Sequence, residues 1–156
     1  MAMADSRPSR IIPGFSSIYD CATPIAYALL RAGLGIILIP HGMQKLFGSF
    51  GGMGLNGFAA LFDKLGYSPG MLWTWIVGGT EFIGGILLVL GLFTRISAAA
   101  QVIFMINAIW FTANSAGFFW TKGGMEYPLL IGLTALYVLA RGGGPYSLDS
   151  KIGREF

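Results

Sequence analysis

Residues 31–48 read RAGLGIILIPHGMQKLFG, an apolar run interrupted by Arg31, His41, Gln44 and Lys45. A later apolar run carries Glu81, and the next carries Asn107. These residue types suit proton-linked chemistry. An imidazole donates a hydrogen bond and titrates near neutral pH. A carboxylate relays protons, while an amide, an ammonium and a guanidinium donate to a carbonyl or stabilise negative charge. Arg31, His41, Gln44, Lys45, Glu81 and Asn107 are therefore the candidate intramembrane polar site. No metal centre is expected, because the chain has one histidine and one cysteine, Cys21. That single cysteine also excludes an internal disulfide and a C-x-x-C redox pair.

Each residue also has a structural reading. Arg31 and Glu81 can form an ion pair that only fixes one helix against another. Lys45 can snorkel to the membrane surface, His41 can be a satisfied interior histidine, and Asn107 can be interhelical glue. What favours a site is accumulation, since ionisable groups inside a membrane are expensive and face a partner or a cavity.

The elements that must position these groups follow from composition. The chain has 156 residues, 54% hydrophobic and 11% charged, with mean hydropathy +0.68. An average soluble domain is roughly 25% charged, so a bilayer is the expected solvent. The 24 glycines follow no G-X-Y period and suit close helix approach. The net charge of +3 is scattered, which gives nucleic-acid binding no support. Residues 1–20 are polar and broken by Pro8 and Pro13, so no secretory signal peptide is expected.

The pattern predicts an all-α membrane protein, a bundle of four transmembrane helices. Thr23-Pro24 is a cap-then-proline start, and the first span runs over 25–47, bent at Pro40. The glycine turn GSFGGMG follows. Residues 55–66 are amphipathic and too short to cross, which predicts an interfacial or re-entrant helix between spans one and two. Ser68-Pro69 starts the second span, 71–93; the third covers 96–117 and a short fourth 126–140. The domain division is a tail over 1–23, a membrane domain over 24–141 and a tail over 142–156. Arg7, Arg10, Arg95, Arg141, Lys151 and Arg154 lie on the tail side, against Lys45, Lys64 and Lys122 opposite, which puts both termini in the cytoplasm.

On the second span, Thr74, Gly78, Glu81, Gly84 and Gly85 share a face at 100° per residue. Gly78, Gly84 and Gly85 are the expected helix-packing face. Another helix can come close there, and a partner can reach the Glu81 carboxylate. With the first two spans antiparallel, Glu81 is expected to meet Arg31 or His41, and Asn107 to share their cavity.

Four stretches, LRAGLG, HGMQKLFG, EFIGGILLVLGLFTR and GGGPYSLD, resemble the DoxX family of small bacterial membrane proteins. The resemblance covers residues 27–149. It implies a four-helix bundle in the bacterial inner membrane, with recurring polar positions at Arg31, Lys45, Glu81 and Arg95. Through a relative in a thiosulfate:quinone oxidoreductase, and members tied to thiol balance and quinone stress, it implies redox chemistry. Cys21 lies outside the family pattern.

Three functions fit these residues. The chain can be the membrane subunit of a quinone-linked oxidoreductase, with a quinone between helices and Phe47, Trp73, Trp75 and Trp110 lining an apolar pocket. GGMGLNG lacks the strand and acidic residue of a dinucleotide fingerprint. No cofactor is thus encoded in this chain, and redox partner subunits or a homo-oligomer are expected. The chain can instead be an accessory scaffold on a larger membrane complex. A small-solute permease is the third reading, disfavoured by the absence of visible internal repeats.

Overall fold

The computed structural model describes residues 13–155, and their regular structure is entirely helical. The helices are α1 (Ser16–Leu46), α2 (Gly54–Lys64), α3 (Gly70–Leu90), α4 (Thr94–Ala116), α5 (Glu126–Arg141) and α6 (Leu148–Ile152). Three of them, α1, α3 and α4, are long and apolar enough to cross a membrane. Helix α5 is shorter, at 16 residues, and α2 has 11, a length of about 16 Å.

Helix α1 begins at Ser16, before the expected start at Thr23-Pro24, and continues through both Pro24 and Pro40. The Thr23 hydroxyl does not cap; it donates to the Tyr19 carbonyl one turn back, at 2.6 Å. A proline removes one backbone bond, and the apolar turns on either side hold the helix across the gap. The part of the expected N-terminal tail over 1–12 lies outside the described residues.

Helix α1 packs along α3, α4 along α5, and α3 also contacts α2 and α4. The α1–α3 contact is set by glycine. A Cβ on Gly35 would collide with the Gly85 carbonyl, and one on Gly42 would lie 2.5 Å from the Phe82 nitrogen and 2.8 Å from the Gly78 oxygen. Gly35 thus opposes Gly85 and Gly42 opposes Gly78, so the helices are antiparallel and touch at two points two turns apart. Gly84 faces the other way, toward the Gln101 amide of α4. The core behind this contact holds Leu34, Leu38, Leu88, Ala98, Met105, Ile131 and Val138. The outer surface is apolar: Ile36, Ile83, Ile103, Ile106, Leu130 and Leu133 are all more than half exposed, as suits a lipid surround.

Candidate functional site

The polar residues of α1 separate into two groups at different depths. Toward its C-terminal end, the Lys45 ammonium lies 2.6 Å from the Glu81 carboxylate, and both side chains are largely buried. Lys45 also approaches the His41 carbonyl at 3.4 Å and the ring of Phe58 on α2, at 5.4 Å. Nearby, a cavity of about 150 Å³ is lined by Leu38, His41, Glu81, Phe104, Met105, Ala108, Tyr127, Pro128 and Ile131. The His41 and Tyr127 rings are 6.1 Å apart. The cavity has contributions from α1, α3, α4 and α5. Glu81, Leu38, Met105 and Ile131 are buried in it, whereas His41, Phe104 and Pro128 are half-buried and Tyr127 is exposed.

Arg31 belongs elsewhere, and the expected Arg31–Glu81 ion pair does not form. The Arg31 guanidinium donates to the Leu88 carbonyl, to Val89 O at 3.3 Å and to Tyr146 O at 2.7 Å. Its partners on α3 lie about two turns from Glu81. The cause is side-chain direction. On a helix each side chain leans toward the N-terminus. In this antiparallel pair Lys45 and Glu81 lean toward each other, while Arg31 leans away toward the end of α3. Its charge meets the C-terminal carbonyls of α3 there.

The same end of the bundle holds further caps. Asp149 accepts from the backbone nitrogens of Phe93 and Thr94, each at 2.9 Å, at the start of α4. Its own nitrogen donates to Gly91 O at 2.9 Å. Arg95 donates to the α5 carbonyls of Leu139, at 2.6 Å, and Ala140, at 3.0 Å, and pairs with Glu155 at 3.0 Å. Tyr27 donates to the Gly142 carbonyl. The segment after α5, read from sequence as a tail, is thus docked across the ends of α3, α4 and α5. The GLFTR and GPYSLD stretches are two halves of one clasp.

The remaining expected residues are placed differently from one another. Gln44 is half-buried and reaches the Phe50 carbonyl at 3.4 Å, in the turn after α1; it does not line the cavity. Asn107 is exposed and donates to Ile103 O at 2.9 Å within its own helix. It points away from the cavity. Phe47, Trp73, Trp75 and Trp110 are exposed on the outer surface and do not line it either. The structure brings together His41, Lys45 and Glu81, and adds Tyr127, Phe104 and Met105, which sequence reading missed. Tyr127 carried a signal: it opens the last apolar segment beside Glu126.

A ring-sized, mostly apolar cavity with an imidazole and an ion-paired carboxylate defines, on this fold, a small polytopic helical membrane protein with an internal polar site. The chain belongs to the DoxX family, whose model matches residues 26–114. It is 30% identical over 125 residues to a Bacillus subtilis protein named "Putative oxidoreductase CatD", covering 80% of this chain and 85% of that one. A Haemophilus influenzae protein is 36% identical over 136 residues, covering 85% and 94%. A Mycobacterium tuberculosis membrane protein is 26% identical over 156 residues, covering 92% and 91%. No solved structure matches the chain.

Proposed function

We propose that this chain is an integral membrane component of a quinone-linked oxidoreductase system and holds a quinone-like ring between α1, α3, α4 and α5. The observation that carries this reading is the cavity shared by His41 and Glu81. Leu38, Phe104, Met105 and Ile131 supply apolar walls for a flat ring. An apolar cavity of about 150 Å³ is large enough for a benzene-sized molecule. The His41 imidazole is placed to donate to a ring carbonyl, and the Glu81 carboxylate, oriented by Lys45, to hold or pass a proton. A bound quinone would supply the electron chemistry, and a partner protein the electrons. The relative named as an oxidoreductase supports the class.

In this reading α5 is the fourth span, a short one supported by its packing along α4, and α2 lies at the membrane interface or re-enters it. Both termini face the cytoplasm of a bacterial cell, because the tail end carries most of the Lys and Arg. Arg31 and Arg95 are structural in this reading, since the terminal nitrogens of Arg31 are taken by the carbonyls of Leu88, Val89 and Tyr146, and those of Arg95 by α5 carbonyls and Glu155. That clasp also favours a second reading, an accessory scaffold subunit.

Purification in mild detergent followed by lipid extraction tests the proposal. Quinone is expected to accompany the wild-type protein and to be reduced in Ala108→Phe, which fills the cavity. Wild-type protein that carries no quinone, and takes up none when it is added, overturns the quinone site. Copurification with a larger membrane complex would then favour the scaffold.

A further inference from the structure

Asn107 poses a physical problem. It lies about 20 Å along α4 from Thr94, inside a helix apolar enough to cross a membrane, and its side chain is exposed on the outer surface. An amide has two N–H donors and a carbonyl that accepts twice. Asn107 uses one N–H on Ile103 O at 2.9 Å, which leaves the other N–H and the Oδ1 facing lipid. Asn114, seven residues on, is also exposed and uses one N–H on Trp110 O at 2.7 Å. Hydrocarbon does not satisfy the Asn107 amide.

The residues around them form a pattern. Ile96, Ala100, Ile103, Asn107, Trp110 and Asn114 follow one another at spacings of four and three. At 100° per residue they fall within an arc of about 80°. This is the seam of a heptad repeat, with Ala100, Asn107 and Asn114 at one core position and Ile96, Ile103 and Trp110 at the other. The seam is uncovered: Ile96 is 57% exposed, Ile103 65% and Trp110 74%. The opposite stripe of α4, including Ser97, Gln101 and Met105, is the one buried against the bundle.

We infer that this stripe is a self-association surface, on which α4 of a second copy packs in parallel with Asn107 against its own counterpart. Two features point to a second copy rather than another protein. Copies inserted with one topology present their α4 helices parallel, and a two-fold axis along the membrane normal brings equal residues together. In a parallel, in-register pair, asparagine at this core position meets itself, and each amide can donate to and accept from the other. The free N–H and Oδ1 of Asn107 are the groups that exchange requires. Small Ala100, one heptad earlier, lets the helices approach.

Disulfide trapping in native membranes tests it, with the full chain in a Cys21→Ser background. Ile103→Cys, on the seam, is expected to give an oxidant-dependent dimer whose mass is twice that of the chain. Leu133→Cys, 57% exposed on α5, is expected to remain monomeric. No dimer at position 103, equal dimer at both positions, or trapping only to a different protein overturns the proposal. In mild detergent at fixed protein-to-detergent ratio, Asn107→Leu is expected to weaken the dimer about fivefold or more, and Asn107→Gln to weaken it less. A dimer that is unaffected by Asn107→Leu also overturns the seam.

Discussion

The Lys45 ammonium sits 2.6 Å from the Glu81 carboxylate because Gly42 and Gly78 bring the backbones of α1 and α3 into contact beside it. A Cβ on Gly78 would lie 3.3 Å from the Lys45 Cβ and 2.7 Å from Leu46. Close backbones allow two side chains that lean toward each other to meet without leaving the interior. The pair sets the depth of Glu81, and with it one wall of the cavity. The arrangement is a crossing point with a charge lock on it.

Breaking that lock on one side should be costly. Lys45→Met leaves the buried carboxylate without its cation, and Glu81→Met leaves the ammonium without its anion. Each is expected to destabilise the protein by about 3 to 5 kcal/mol. The double variant should lie closer to wild type than either single, since two apolar side chains then fill the same space. Denaturant unfolding in a mixed-micelle system reads all three. A double variant as unstable as the sum of the singles would remove the pair as a coupled unit.

The glycines give a sharper contrast. Gly42→Ala places a methyl 2.5 Å from the Phe82 nitrogen and 2.7 Å from its Cβ, so the helices must separate. Loss of folded protein, or a fall in stability of at least about 1 kcal/mol, is the expected outcome. Gly33→Ala and Gly79→Ala lie on the same two helices, and beyond the local backbone of their own helix nothing lies within 4 Å of the new methyl. These should be neutral or gain up to about 1 kcal/mol from better helix propensity. Thermal unfolding of the four proteins in one detergent separates the classes.

Hydropathy and helical periodicity made the all-helical membrane architecture, the short helix at Gly54–Lys64 and the face carrying Gly78, Glu81 and Gly85 legible. Both signals are local, and the bilayer imposes them on the chain directly. The choice of partner for Glu81 was not legible from depth alone. Arg31 and Lys45 share a face of α1, and only the lean of side chains along antiparallel helices selects Lys45. The role of Asp149 was invisible for another reason. Its caps, Phe93 and Thr94, lie more than 50 residues earlier, and no sequence period links a tail to a helix start. Sequence places Asn107 in the interior because a polar residue in a span usually faces inward. A polar residue reserved for a second chain gives the same signal.

The clasp should be separable from the cavity. Asp149→Ala removes the acceptor for two backbone N–H groups at the start of α4, and is expected to cost about 1 to 3 kcal/mol. Arg31→Lys should fail to replace arginine, because an ammonium is a point donor and cannot reproduce the planar fork that reaches Leu88, Val89 and Tyr146. Both variants should expose residues 142–155 to protease earlier on heating than wild type. Equal protease resistance in Asp149→Ala would show that the segment is held by other contacts.

The cavity itself is tested by variants that keep the fold while changing its chemistry. His41→Phe keeps a ring beside Tyr127 and removes the donor. Glu81→Gln keeps an acceptor for Lys45 and removes the charge, at a stability cost that denaturant unfolding measures independently. If the site handles a quinone, His41→Phe should lower quinone-linked turnover of the assembled system by about 10²-fold or more, the usual scale for a positioned proton donor. Its unfolding midpoint should stay near wild type, since His41 is only half-buried and the ring is replaced by one of similar size. Per folded molecule, Glu81→Gln should show a loss in the same direction. The decisive comparison is turnover against stability in the same preparations. Turnover per folded molecule that is unchanged in both variants would assign His41 and Glu81 to packing, and the chain would then be read as a scaffold whose redox chemistry lies in another subunit.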